Sequence, residues 1–305
     1  MDALSRVIEL ARIRGSLDLR CQLSGDFALA HDPLPPGEAA FHLMLSGNAE
    51  LGLEDDTHLV MAAGDFVLLP RGTAHVVSGT GQAERGPMRM DSDGPLLSRR
   101  NTDGEIEMDL LCGRFSYSPG SADLVMSVLP DVLHISLAKE TQLQALGSVV
   151  SLLRDEVVHQ QSGAFAIVTA LSQAIFVLAL RAYAQRDGMP PSLLALLSDP
   201  RLGRAVLAMV KEPEKAWTIE LLAKRSNMSR ATFARHFSEK SNTSPMELLA
   251  SLRMRFAGEL LESSTLATAD IAERVGYQSE SAFGKVFQKI IGQTPAAFRR
   301  KRKGN

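Results

Sequence analysis

The sequence predicts an α+β protein of two domains, a barrel of short strands with helices behind it and then an all-helical domain. Three observations carry this. The segment Met228–Phe237 recurs about fifty residues later as Gln278–Phe287. Residues 41–70 break into short apolar runs separated by Gly, Asp and Pro, the pattern of strands joined by turns. Charge also divides along the chain. From Arg201 onward nineteen Lys/Arg face ten Asp/Glu, whereas fourteen face twenty-five before it. The net charge of −2 conceals that split, which points to a nucleic-acid-binding half joined to something else.

The repeat is specific in its flanks as well as its centre. Ala223 answers to Ala272, Asn227 to Gly276, and Ser244-Pro245 to Thr294-Pro295. Asn and Gly tolerate the left-handed backbone that a sharp turn between two helices needs. Phe233 and Phe237 lie at i and i+4 and share a buried face, as do Phe283 and Phe287. The outer faces then carry Arg230, Ala231, Ala234 and Arg235 in the first unit, and Ser281, Gly284 and Lys285 in the second. A slim face with basic donors is what a helix needs to enter a major groove, so the pattern predicts two helix-turn-helix units in tandem.

The run from Ile271-Ala272 through Val275-Gly276-Tyr277, Ser279, Ser281, Phe283 and Phe287-Gln288-Lys289 to Gly292, Thr294-Pro295 and Phe298-Arg299 resembles the AraC/XylS-type transcription regulators. That resemblance covers about the last hundred residues. It implies a monomeric module of two such units joined by one long helix. The residues expected at double-stranded DNA are Arg230, Ala231, Ala234 and Arg235 in one groove, with Ser281 and Lys285 in the next. The second unit departs from a good reader: Glu280 brings negative charge, and Gly284 costs its helix about 0.8–1 kcal/mol relative to Ala.

At 305 residues the chain can bury two cores, and 45% hydrophobic residues is ordinary for a globular protein. Met1-Asp-Ala-Leu-Ser-Arg6 has no apolar signal core. The stretch Ala164–Leu180 is short for a bilayer span and is interrupted by Thr169, Ser172 and Gln173, so it reads as a buried helix. Two distant cysteines without C-x-x-C spacing fit neither a secreted disulfide scaffold nor a zinc site. A cytoplasmic protein without membrane partners is expected.

Taken in order, residues 1–14 predict a short helix with Leu4, Val7, Ile8 and Leu10. Strands follow at 41–47, 49–53, 59–61 and 64–70. Gly64-Asp65, Pro70, Gly72 and His75 have the spacing of the second motif of the cupin barrels, and the resemblance covers about residues 15–120. Cupin enzymes bind a metal with that His plus two His and a Glu from an earlier motif. Here those earlier positions fall on Pro33, Pro35 and Ala40, while His31, His42 and His58 lie nearby out of spacing. A lone His75 is a weak metal candidate, because such sites need three or more protein ligands. No metal and no cofactor are therefore expected. The barrel reads as a sensor; the alternative is a metal-dependent cupin oxygenase or isomerase with an accessory DNA-binding module.

Residues 80–108, rich in Gly, Asp, Arg and Ser, read as a surface loop, and 108–117 as a strand carrying Cys112. Leu143, Leu146, Val149, Val150 and Leu153 predict one helix, and Phe165 to Arg181 another. The residues leave two roles open for this pair: a dimer interface, as the family commonly uses, or a cover for the barrel. Pro190 to Pro200 reads as a linker containing the apolar piece Leu193–Leu197. Asp199, Thr218 and Pro245 are placed to start helices. The tail Arg299–Lys303 is basic and fits either a phosphate contact or a frayed end.

The reading is thus a transcription regulator, not an enzyme; activator is the class assigned to it, while the residues leave the sign of regulation open. It comprises a sensor and dimerisation domain over 1–190 and a DNA-binding domain over 200–305. RNA polymerase, a small-molecule effector or oxidant, and a homodimer partner are the expected companions. Cys21 and Cys112 are the redox candidates: the first and last strands of a barrel often adjoin, and Arg20 and Arg114 could favour the thiolate.

Overall fold

The computed structural model describes residues 2–81, 87–91, 97–102, 104–117, 123–126, 129–136, 152, 155–156, 159, 161–186, 188 and 190–303. They divide into two compact units. One comprises Arg12–Tyr117 with Leu129–Arg186; the other comprises Met1–Ala11, Ser118–Val128 and Asp187–Asn305. Leu143, Leu146, Val149, Val150 and Leu153, the residues that predict the first of the two helices after the barrel, lie outside the described residues.

The first unit is a double-sheeted barrel. Its strands are β1 (Arg14–Leu23), β2 (Asp26–His31), β3 (Glu38–Ser46), β4 (Asn48–Leu53), β5 (His58–Ala62) and β6 (Asp65–Leu69). They continue with β7 (His75–Thr80), β8 (Arg89–Asp91), β9 (Ser98–Arg100), β10 (Met108–Ser116) and β11 (Leu133–Ser136). One sheet runs β11-β6-β3-β10-β1-β9-β8 and the other β2-β7-β4-β5. All pairings are antiparallel except β1 with β9. Strands β8 and β9 fall within 80–108, the stretch expected to be loop: they are three residues each, too short to show a period of two.

Burial explains the strand pattern. Phe41, Leu43 and Leu45 of β3 are buried, and so are Ala40, His42 and Met44 between them. A strand covered on both faces reads as a continuous apolar run rather than an alternation. Phe41 packs its ring 4.7 Å from Phe115, and Phe115 packs 4.7 Å from Phe176 of the following helix α3 (Ala164–Ala184). Thus α3, the one helix among the described residues long and apolar enough to cross a membrane, is laid against the sheet by Phe176. At the Pro70-x-Gly72 turn Gly72 has φ +60, and a Cβ there would lie 2.7 Å from that of Leu34. No side chain fits that corner. One buried ion pair crosses β1 and β10: the Arg20 guanidinium donates to both Asp109 carboxylate oxygens at 2.9 and 2.6 Å.

The second unit is helical: α1 (Ala3–Leu10), α2 (Asp123–Met126), α4 (Leu193–Ser198), α5 (Leu202–Lys211), α6 (Ile219–Arg225) and α7 (Arg230–Ser241). After these come α8 (Pro245–Ser263), α9 (Thr268–Arg274), α10 (Glu280–Ile291) and α11 (Pro295–Lys303). Leu193–Ser198, expected as an apolar piece of linker, is a helix capped by Ser192 with Leu193, Leu194 and Leu196 buried. It packs on α1, α5 and α7, which explains why a connector would carry so many leucines. The N-terminal helix belongs here too, whereas a division at residues 190–200 follows composition alone.

Helix starts obey the expected chemistry. Asp199 accepts hydrogen bonds from the Arg201 and Leu202 amides, and Thr218 accepts one from Leu221. Ser244 and Glu247 form a reciprocal capping box ahead of α8, with Pro245 in its first turn.

Candidate sensor site and nucleic-acid interface

The helical unit presents two equivalent turns. Asn227 at φ 52 ends α6, and Gly276 at φ 82 ends the α9 segment. A Cβ on Gly276 would come within 2.6 Å of both the Glu214 carbonyl oxygen and the Arg253 guanidinium. Arg253, on the central helix α8, donates to the carbonyls of Pro213 and Lys215 and sits 5.7 Å from the Tyr277 ring centroid. One side chain thereby ties the loop before the first helix-turn-helix to the turn of the second.

Helices α7 and α10 start alike. Ser229 accepts from the Thr232 amide and Ser279 from the Ala282 amide, both at 3.2 Å. In each, the two phenylalanines are fully buried with ring centroids 5.5 Å apart. With those rings pinned inward, Arg230, Ala231 and Arg235 are exposed and Ala234 is partly so; Ser281 and Lys285 are exposed on the second helix. Glu280 occupies the first turn of α10, where a carboxylate favours the helix dipole while opposing a phosphate.

Inside the barrel, two cross-strand pairs meet, one from each sheet. His42 on β3 stands opposite Cys112 on β10, and His31 on β2 stands opposite His75 on β7. The His31 and His75 rings stack with centroids 4.6 Å apart and planes 6° off parallel. His42 bridges the pairs: its Nδ1 is 3.2 Å from the Cys112 sulfur and its Nε2 is 2.7 Å from His75 Nε2. His75 Nδ1 lies 2.8 Å from the Thr73 carbonyl oxygen, which can only accept, so Nδ1 carries the proton. His75 Nε2 is then bare and accepts from His42 Nε2–H, which leaves His42 Nδ1 to accept from the Cys112 thiol.

Burial holds all three rings neutral. It lowers His42 well below the usual imidazole range, aided by His75 and His31, and it lowers His75. Burial, then His75 and Arg99, take His31 down to about 4.

Cys21 joins this cluster from β1. Cys21 pairs with Leu110 and Cys112 with Leu19, so the cysteines are diagonal neighbours on one face of the β1–β10 ladder. Both side chains are buried in the same barrel core. The neighbouring Cys112 lowers the Cys21 pKa, with Arg99 assisting against burial, while Cys112 is pushed well above the usual thiol range by Cys21 and by burial. The arginines expected to do this are engaged elsewhere. Arg20 is held by Asp109 and Arg114 by Asp18 and Glu38. Arg20 adjoins Cys21 in sequence, and consecutive strand residues point to opposite faces. Arg99, which sequence reasoning missed, reaches the site because β9 pairs in parallel with β1, Cys21 opposite Arg99.

The metal positions of the cupin enzymes do not fit this chain, since Pro33, Pro35 and Ala40 offer no donor atom. Of the histidines left out of spacing in the sequence, His31 and His42 enter the cluster through strand register. His58 is exposed on β5 beside Glu50.

Comparison with known proteins agrees with both units. The family described as Cupin matches residues 2–185, and the family described as Helix-turn-helix domain matches residues 222–301. An uncharacterised HTH-type transcriptional regulator of Haemophilus influenzae is 32% identical over 303 residues, covering 98% of this chain and 99% of its own. The RCS-specific HTH-type transcriptional activator RclR of Escherichia coli is 30% identical over 300 residues, covering 98% and 97%. The DNA-binding domain of AdpA, solved in complex with a target DNA, is 32% identical, covers 35% of this chain and 96% of its own, and gives a TM-score of 0.33. A barrel and a doubled helix-turn-helix in one chain, matched end to end by such relatives, place this protein in the family of AraC-type, DNA-binding transcriptional regulators that carry a cupin sensing domain.

Proposed function

We propose that this regulator reads an oxidant through Cys21 and Cys112 and acts as an activator at promoter DNA. The observation that carries the reading is that two buried cysteines, ninety-one residues apart, are diagonal neighbours on one face of the β1–β10 ladder. The Escherichia coli relative RclR, named as an RCS-specific activator, supports it. The chemistry balances with a peroxide: the Cys21 thiolate attacks one oxygen, the O–O bond breaks, and Cys112 displaces the sulfenic oxygen. Two thiols lose two electrons and two protons, and the peroxide leaves as two waters.

Diagonal strand neighbours have Cα atoms ~7–8 Å apart, whereas a disulfide requires about 4.4–6.8 Å. Closing the bond therefore draws β1 across β10, beside the register shift already present between Leu17 and Leu19. Strand β1 follows α1 after only three residues, and α1 packs on α4 and α5 of the helical unit. A pull on β1 thus has a covalent route to the unit that binds DNA.

The test is reporter activity with peroxide or hypochlorite, alongside disulfide mapping by mass spectrometry. The parent should respond, and Cys21→Ser and Cys112→Ser should not. If both variants respond like the parent, the cysteines are structural and a small organic effector in the barrel takes their place.

For DNA, Arg230, Ala231, Ala234 and Arg235 are proposed to face one major groove and Ser281 and Lys285 the next, about one helical turn or ~34 Å away. Their exposure on equivalent helices supports this. Arg235→Ala should weaken operator binding by about 1–3 kcal/mol, roughly 5- to 150-fold, and relax specificity at one base pair. Titration at fixed salt checks it; unchanged affinity would remove Arg235 from the interface. RNA polymerase contact, a cytoplasmic setting and homodimer formation complete the proposal. For the dimer the support is the exposed Phe165 and Ile167 on α3, which sedimentation of a Phe165→Glu variant would test.

A further inference from the structure

We propose that His31, His42 and Cys112 form a binding site for one thiophilic metal ion, Zn2+ or Cu+, with His75 holding His42 in the ligating orientation. One donor atom from each of the three residues lies within 4.8 Å of the others. Bonds of ~2.0–2.3 Å to nitrogen and sulfur bring such donors to roughly 3.3–3.8 Å apart around a shared ion, so the site needs to close by about 1 Å. The His42 Nδ1 to Cys112 Sγ separation of 3.2 Å is already that short.

The tautomers are set for ligation. Thr73 fixes the proton on His75 Nδ1, His75 Nε2 accepts a hydrogen bond from His42 Nε2–H, and the lone pair of His42 Nδ1 is left facing Cys112. A metal-ligating histidine is oriented by an acceptor behind its other ring N–H, the role His75 Nε2 takes for His42. The second observation is His31, whose buried Nε2 has no hydrogen-bond partner among the described residues. A bare buried imidazole nitrogen is unfavourable, and a ligand bond satisfies it.

The donor set selects the ion. Two imidazoles and one thiolate without a carboxylate favour Zn2+ or Cu+ over Mg2+, Ca2+ or Mn2+. Binding converts the Cys112 thiol to a metal thiolate and releases one proton to solvent. These are not the residues with which cupin enzymes hold their metal: only His75 shares a position with that set, and here it stands behind a ligand. The two cross-strand pairs place the ligands on rigid strands of both sheets, so an ion would staple the sheets together.

The proposal shares Cys112 with the oxidant reading but not its chemistry, and it is tested on reduced full-length protein without DNA or oxidant. After chelator treatment, Co2+ is titrated as the spectroscopic substitute for Zn2+, and separately Cu+ is supplied anaerobically from a chromophoric Cu+ chelator. One equivalent of either ion, with a thiolate-to-cobalt charge-transfer band in the Co2+ arm, is the expected result. Cys112→Ser should abolish that band and lower affinity at least about 100-fold. His75→Gln should keep the band and lower affinity about 10- to 100-fold, as loss of an orienting partner does. His58→Gln, at an exposed ring outside the cluster, should bind like the parent. His31→Gln carries the test should the Cys112 variant fail to fold. No binding in either arm, or parent-like binding in Cys112→Ser, would overturn the assignment.

Discussion

Replacing Phe287 by alanine should destabilise the helical unit by about 3–5 kcal/mol, the usual cost of emptying a buried aromatic site. Its ring is fully buried among Phe283 and Phe298, each with its centroid 5.5 Å away. The same cluster includes Met254, Ala257 and Leu261 of α8 and Ile271 of α9. These neighbours belong to four different helices and cannot all collapse into the space left. Operator binding should fall with stability, because α10 is held to α8 and α11 by this ring. The surface control is Lys285→Ala, expected to change stability by no more than ~0.5 kcal/mol. Denaturant unfolding followed through Trp217, which lies buried in this unit, reads both variants. A Phe287→Ala midpoint matching that of Lys285→Ala would show that the second helix-turn-helix is not a cooperative part of the unit.

Acid should unfold the metal-free barrel well before the carboxylates titrate. His31, His42 and His75 all have folded-state pKa values below 6.5. Above pH 6.5 the rings are neutral in both states and the full stability is present. As pH falls below 6.5 the unfolded chain takes up protons that the folded barrel refuses, so stability drops with falling pH. For His31 the fall continues to about pH 4 and amounts to roughly 3 kcal/mol at about 1.4 kcal/mol per pKa unit. His42 and His75 act in the same direction. Reactivity of Cys21 and Cys112 toward a thiol reagent between pH 7.5 and 5 reports opening of this unit alone, since both are buried in the barrel. His31→Gln should flatten the dependence. A barrel whose thiols stay equally protected at pH 5 would show that these rings do not resist protonation.

The helix-turn-helix pair was legible residue by residue. A period of 3.6, a cap, a left-handed turn residue and a proline start are local devices, and local devices are written in adjacent residues. Asn227, Gly276, Thr218 and Pro245 each sit where their chemistry places them. The barrel was legible as a fold through its strand runs and the Gly64–His75 spacing. Its register was not: a strand buried on both faces, as β3 is, loses the alternation that reveals which side faces in. Leu193–Ser198 was misjudged for a related reason, because a six-residue helix is too short to display its period beside two prolines.

Sequence by itself determined the class of this protein: a strand-rich sensing half and a basic helical half with two equivalent helix-turn-helix units. Tertiary structure alone decided the inner site. His31, His42, His75, Cys21, Cys112 and Arg99 come from six strands, and no spacing between them repeats. They meet because β3 pairs with β10, β2 with β7, and β1 with both β10 and β9. Pairing register is a long-range property, set by how two sheets bury their faces against each other. It therefore brings together groups that lie far apart along the chain.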